Sequence, residues 1–189
     1  TLYYCYTSVM KNLPIVMKYK FFFLLIGFLW VGCSKKQKIS NSTPIKIVHK
    51  FNDEEVKWFK NKGNGSIKGI AKFKSKNGTI RFGKDFRIEL MPNSLYTEER
   101  LTKIYNHKDS GYVHVEDGIP KFTPDPKGYH DTKKTMCNEK GEFEFNNLPP
   151  GNYYIIAFMF WDKTGGGIMQ QITLSEDEND SKPIEMVNF

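Results

Sequence analysis

The chain has 189 residues, of which 39% are hydrophobic and 15% are aromatic, and its formal net charge is +7. This length is enough for one domain with an apolar core of its own. Three cysteines are too few for a disulfide-rich scaffold, so folding must rest on that core. No nucleic-acid recognition motif accompanies the positive charge, and we therefore do not expect nucleic acid as a partner.

The segment 17–36 predicts where the protein resides, and it reads MKYKFFFLLIGFLWVGCSKK. Lys18 and Lys20 precede the apolar run 21–31, which is shorter than the about 20 residues that a membrane-spanning helix needs. A short basic region, an apolar run and a small residue before a cleavage point are typical of a secretory signal. Residues 1–16 lie upstream of this complete signal, so we expect them to be an over-called start.

The end of the apolar run, Val31-Gly32-Cys33, resembles the lipobox of bacterial lipoproteins. The resemblance implies that the segment 1–33 is a signal removed at Cys33, and that Cys33 carries the lipid and contacts the bilayer. The expected location is the bacterial cell envelope, and Ser34 after the cysteine favours the outer membrane if the host has two membranes. Cys137 then has no partner for an internal disulfide and is expected to be a small buried apolar residue.

The next part of the chain, 34–63, is predicted to be a tether and lead-in to the folded domain. Residues 34–43 are polar apart from Ile39, which is typical of a flexible segment. In the stretch 44–62, Ile45 and Ile47 alternate as in a short strand, whereas Val56 and Phe59 are also compatible with a helical turn. We predict a strand-like lead-in, with the domain itself spanning 64–189.

Strand patterns dominate from residue 64 onward. Apolar and polar residues alternate in short runs that are separated by turn signals, of which Asn77-Gly78 is the strongest. Pro92 ends one of these strands. The predicted strands cover 67–74, 79–82, 86–90, 112–115, 142–145, 153–161, 168–174 and 184–189.

One helix and one long loop interrupt the strands. Residues 96–106 predict a helix because Leu101, Ile104 and Tyr105 fall on one side. Thr97 is predicted to cap it, and Glu98 sits in the first turn, where the helix dipole favours an acid. The segment 116–131 contains three prolines and is predicted to be an irregular loop.

The most specific pattern lies in the C-terminal third. It reads Gly141-x-Phe143-x-Phe145-x-x-Leu148-Pro149-x-Gly151-x-Tyr153. Phe143 and Phe145 point to one side, the prolines end a strand, and Tyr153 can bury its ring while its hydroxyl finds a backbone partner. The pattern resembles the signature of carboxypeptidase regulatory-like domains, which are small transthyretin-like (prealbumin-like) sandwiches. The resemblance and the strand count predict an all-β, two-sheet Greek-key sandwich of about seven strands with a short helical insertion.

Catalytic and metal-binding patterns are absent from the sequence. None of the four histidines lies in a His-Glu-x-x-His arrangement, which a zinc peptidase needs to place its ligands. We therefore expect no enzymatic activity, no catalytic residue, no bound metal and no cofactor. A weaker alternative is a metal-dependent hydrolase in which His107, His114 and His130 converge.

Aromatic residues in the insertion and near strand ends supply the candidate binding site. Exposed aromatic rings on the loops of a sandwich suit carbohydrate stacking or protein contact, although the same rings can instead cap the core. The sequence thus favours a membrane-anchored, non-enzymatic binding or envelope-structural module whose partner is an envelope protein or a glycan, with a carbohydrate-binding surface lipoprotein as the alternative. The candidate residues are Tyr96, Tyr105, Tyr112, Phe122 and Tyr129.

Overall fold

A computed structural model describes residues 43–162, 164–176 and 184–188 of the chain. The predicted signal segment, Cys33 and nearly all of the predicted tether lie outside the described residues. No helix in the described ranges is long and apolar enough to cross a membrane. The strands are β1 (Ile45–Lys46), β2 (Gly65–Lys74), β3 (Ile80–Phe82), β4 (Arg87–Pro92), β5 (Ser110–His114), β6 (Phe122–Thr123), β7 (Lys133–Met136), β8 (Glu142–Leu148), β9 (Gly151–Trp161), β10 (Thr164–Leu174) and β11 (Ile184–Met186), and the α-helix is α1 (Leu95–Tyr105).

Two sheets form the body of the domain. The first has five strands in the order β5-β10-β9-β4-β7, all antiparallel to their neighbours. In the second, β2 pairs with β11 in parallel and with β8 and β3 antiparallel. Ala71 joins β8 to β3 along one edge of β2, because its N–H donates to Gly141 and its carbonyl accepts from Gly83. The all-β two-sheet architecture with a short helical insertion is confirmed.

The main core lies between these two sheets. Alternate residues of β9 point into it, and the predicted core residues Phe143 and Tyr153 are both buried. The Tyr153 hydroxyl donates to the carbonyl oxygen of Pro149, as the sequence pattern predicts. Cys137 is buried in the same core with a free thiol, and burial raises its pKa to about 11.

Helix α1 covers part of the opposite face of the five-stranded sheet. It begins after Ser94, whose side-chain oxygen accepts the N–H of Thr97, so Ser94 and not Thr97 is the cap. Asn106 ends the helix with a left-handed φ of 58°. The apolar side of the helix and the insertion loop bury a second core against the sheet. This core comprises Ile47, Met91, Tyr96, Leu101, Tyr105, Phe122, Tyr129, Tyr154 and Met169.

The lead-in is part of the folded body rather than a spacer before it. β1 pairs in parallel with β6, and a short 3-10 helix, Lys57–Lys60, places Phe59 in the main core. These contacts make residues before the predicted boundary at residue 64 part of the folded domain. The lead-in therefore contains both of the structures that its sequence allowed, first a short strand and then a helical turn.

The number of strands exceeds the predicted count of about seven. The short β1 corresponds to the predicted strand-like lead-in, whereas β6 and β7 were not predicted. The sequence of β7, KKTM, carries no apolar alternation. β7 forms because its backbone pairs with β4, in a register that sets Met136 opposite Arg87. A partner strand can thus impose a conformation that side-chain alternation does not signal.

Candidate functional site

Four of the five predicted binding residues are buried. Tyr96, Tyr105, Phe122 and Tyr129 belong to the second core, and each is less than a tenth exposed. They therefore cap the core and are not available to stack on a ligand, which corrects the prediction of an exposed aromatic set. The fifth residue, Tyr112, is 47% exposed and lies on the edge strand β5.

The insertion loop is fastened to α1 through Arg100. The Arg100 guanidinium lies 4.3 Å from the ring centre of Tyr129 and 4.8 Å from that of Phe122. Its Nη1 donates to the Tyr96 hydroxyl at 3.0 Å and to Asp125 at 2.5 Å. Burial alone would raise the pKa of Asp125, but the hydrogen bonds and positive charges of Arg100 and His130 together outweigh it and lower that pKa. These contacts hold the insertion loop against α1. Because the Arg100 guanidinium is already paired with Asp125 and covered by two rings, we assign it a structural role.

The histidines of the insertion do not form a metal site. His130 Nε2 lies 2.9 Å from Asp125 Oδ1, whereas the His114 ring packs edge-on against Phe73 in the main core at 5.5 Å between centroids. Among residues 43–162, 164–176 and 184–188, no group of three or more His, Cys, Asp or Glu side chains could hold a metal ion. The structure therefore does not bring His107, His114 and His130 together.

A different pair of aromatic residues is exposed. Phe158 and Phe160 are 39% and 44% exposed on the C-terminal half of β9. Ala157 and Met159, which alternate with them along β9, face the main core. Phe158 and Phe160 therefore point to the other face of the sheet, which α1 covers nearer the start of β9. Phe158 lies opposite Gly167 in the pairing with β10, and Phe160 lies opposite Gly165. We name the surface formed by these two rings the aromatic face.

Two residues of β10 that lie opposite the aromatic face are glycines. A Cβ atom at Gly167 would lie 2.7 Å from the Tyr105 hydroxyl and 3.4 Å from Phe158 Cδ2, so a larger residue there would press on both. Gly165 has a φ of 146°, which side chains rarely permit. The two Phe rings therefore have no side chain beside them on the neighbouring strand.

Polar groups border the aromatic face on β4. Arg87 precedes Ile88, which pairs with Ala157, so the antiparallel register continues to place Arg87 opposite Phe158. The Arg87 side chain is 59% exposed, and its Nη2 lies 2.8 Å from Glu89 Oε1. Arg87 also lies opposite Met136 of β7, which is 57% exposed. The surface thus combines apolar rings with hydrogen-bond donors and acceptors.

The sequence contains a signal for this surface, although it is ambiguous. Residues 153–161 are apolar on both sides, which is typical of a strand covered on both faces. Three consecutive glycines, 165–167, follow immediately after a turn and predict that the neighbouring strand carries no side chains there. Together these two features indicate exposed rings at the end of β9, but only once the pairing of β9 with β10 is known.

Comparison with known proteins shows the fold and nothing finer. No protein-family model matches the chain, and no curated protein matches it. A crystal structure of a protein from Pseudomonas aeruginosa, described there as a proposed carbohydrate-binding protein, matches with a TM-score of 0.62 at 20% sequence identity. The match covers 74% of this chain and 99% of that chain. This chain is therefore similar to that protein in fold.

Proposed function

We propose that this protein is a non-enzymatic, lipid-anchored binding module of the bacterial cell envelope, and that its aromatic face binds the sugar rings of an envelope glycan. The exposed Phe158 and Phe160 pair carries the proposal. Neighbouring apolar rings that are exposed together can mark a binding surface. The apolar face of a sugar ring fits such rings, and its hydroxyls can bond to Arg87 and Glu89 at the border.

Two further observations support this ligand class. The structurally similar Pseudomonas aeruginosa protein is described as a proposed carbohydrate-binding protein, although at 20% identity the likeness concerns the fold alone. The sequence pattern around Gly141–Tyr153 resembles carboxypeptidase regulatory-like domains, and we propose membership of that class on this resemblance. Such sandwiches support many functions, so the aromatic face and not the fold carries the argument.

The binding of purified envelope polysaccharide tests the proposal. We expect Phe158→Ala and Phe160→Ala each to weaken binding about tenfold, because each removes one stacking surface. Phe82→Ala is the matched control, since Phe82 is also exposed, at 49%, but lies on β3 of the other sheet. Equal affinity in all four proteins would contradict the proposed role of the aromatic face.

The proposed anchor requires a separate test. A lipid on Cys33 with two or more acyl chains gives stable membrane attachment, whereas one chain is marginal. Cells fed a fatty-acid analogue should incorporate label into the wild-type protein and not into the Cys33→Ser variant. Equal incorporation into both proteins would rule out lipidation at this residue.

The rival hydrolase reading is tested by metal analysis. We expect the purified protein to contain no stoichiometric metal, since His114 and His130 have separate partners. Stoichiometric zinc that disappears in a folded variant with His107, His114 and His130 changed to alanine would overturn the non-enzymatic proposal.

A further inference from the structure

A second concave surface lies near the start of β9, at the opposite end of this strand from the aromatic face. It forms where the lead-in, the entry to α1 and the start of β9 meet. Its volume is about 410 Å³, which is within the range of sites for small ligands. Glu55, Trp58, Asn93, Glu98 and Asn152 provide the side chains of its wall that we consider below. We name this surface the end groove.

Trp58 is the aromatic wall of the end groove. Its ring packs edge-on against Tyr153, with centroids 5.1 Å apart, and any side chain at Gly151 would overlap the ring. These contacts hold the indole in one orientation while leaving it partly exposed. A rigid ring of this kind can stack on a ligand with little loss of conformational freedom.

Two amide side chains face the same groove. Asn152 Oδ1 accepts a hydrogen bond from Thr173 Oγ1 at 2.6 Å, which leaves the Asn152 amino group as a donor. The Asn93 backbone N–H donates to the Asn152 carbonyl, while the Asn93 side chain makes no hydrogen bond to any residue that the structure describes. A primary amide has both donors and an acceptor. These groups can therefore bind a hydroxyl that donates a hydrogen bond or one that accepts it.

The charges of the groove select against an anionic ligand. The Glu55 carboxylate accepts the N–H of Leu95 at 3.0 Å and keeps its negative charge, whereas Glu98 forms an ion pair with Lys108 at 3.0 Å. An anion would approach the Glu55 charge and be repelled. A neutral ligand rich in hydroxyls fits this arrangement.

We infer that the end groove is a second binding site, which takes one neutral sugar unit with Trp58 against its ring and Asn93 and Asn152 on its hydroxyls. The ligand class rests on the proposed function. Gly151 and Phe158 lie seven residues apart on β9, so the two sites are about 23 Å apart along the strand. A glycan that reached both sites would bind more tightly than a glycan held at one.

Calorimetric titration of the full chain in detergent tests this inference, with cellohexaose, maltohexaose and N-acetylated chitohexaose as probes. We expect at least one of these sugars to bind to the wild type. Asn93→Ala should weaken its binding at one site about tenfold, the loss expected for one or two hydrogen bonds. The fold should survive this change because the Asn93 side chain has no partner among the described residues. Asn146→Ala, at an exposed amide on β8, is the matched control.

The outcomes separate the end groove from the aromatic face. If Asn93→Ala binds like the wild type while Phe158→Ala weakens binding, the inference fails and the proposed function stands. If Asn93→Ala loses binding and Phe158→Ala does not, the end groove stands and the aromatic face fails. The absence of binding by any of the three sugars overturns the inference. Trp58→Phe provides a second variant that retains a ring, and it should bind more weakly while melting as a folded protein.

Discussion

The two halves of the outer face of β9 have the same apolar character but different environments. Tyr154 and Ile156, in the first half, lie in the second core beneath α1 and the insertion loop, and Tyr154 is completely buried. Phe158 and Phe160, in the second half, are exposed to solvent. A strand that is apolar on both faces is expected to have both faces covered. In β9, this chain covers the inner face and only the first half of the outer face.

Length explains where the covered half ends. Helix α1 has 11 residues and β9 also has 11, but a helix rises about 1.5 Å per residue and a strand about 3.3 Å. The helix is therefore about 16 Å long and the strand about 36 Å. One helix of this length cannot cover the whole face in any orientation, so part of the face remains exposed.

The largest expected change is in the free energy of unfolding, and it should differ between the covered and the exposed half of the outer face of β9. Tyr154→Ala removes a fully buried ring and should lower the free energy of unfolding by about 3–5 kcal/mol, as large-to-small changes in cores do. Phe158→Ala should lower it by less than about 1 kcal/mol, because the ring is already partly in water. Denaturant unfolding of both variants measures the difference. Similar losses would show that the two halves are equally covered.

A smaller effect should follow from loosening the insertion loop over the covered half. Asp125→Ala leaves the Arg100 guanidinium, whose side chain is only 13% exposed, without its carboxylate. We expect a loss of about 2 kcal/mol, since a charged hydrogen bond is lost and its donor stays covered. Thermal unfolding checks the value, with Asp117→Ala as the control at an exposed acid. An unchanged melting temperature would mean that the loop is held by its apolar contacts alone.

Acid should loosen the lead-in from the same helix. The Glu99 carboxylate accepts the N–H groups of Val48 and His49. Burial alone would raise its pKa, but these hydrogen bonds lower it from 4.5 to about 2. The stabilisation is therefore complete above pH 4.5 and is lost as the pH falls towards 2. Glu99→Gln should cost about 1 kcal/mol at pH 7, and its difference from the wild type should shrink in that acidic range, which unfolding curves at several pH values would show.

The smallest effect should be a difference in thiol accessibility between two neighbouring positions, the last residue of β7, Met136, and Cys137, which follows it. Cys137 faces the main core and its pKa is raised to about 11, so iodoacetamide should not label it until the protein unfolds. Met136→Cys places a thiol on the opposite, exposed side and should be labelled rapidly in the folded protein. Mass spectrometry measures both rates. Rapid labelling of Cys137 in the native state would show that this edge opens.

Much of the fold was predictable because it depends on local patterns. The alternation in 142–145 and 153–161, the Asn77-Gly78 turn and the helical periodicity around Leu101 all correspond to observed elements. β7 and the packing of Phe59 were not predictable in the same way. Their conformations depend on partners distant in sequence, and no local pattern encodes such a partner.

The candidate site, like the fold, was predictable only where it depends on local sequence patterns. By itself, the sequence determined that the chain forms a two-sheet sandwich with a helical insertion and that it is rich in aromatic residues, because periodicity and composition are local properties. Only the tertiary structure decided which rings are exposed: it buried Tyr96, Tyr105, Phe122 and Tyr129 under the insertion and left Phe158 and Phe160 in solvent. The physical reason is that burial depends on what lies across from a residue, and a short helix can shield only part of a long strand.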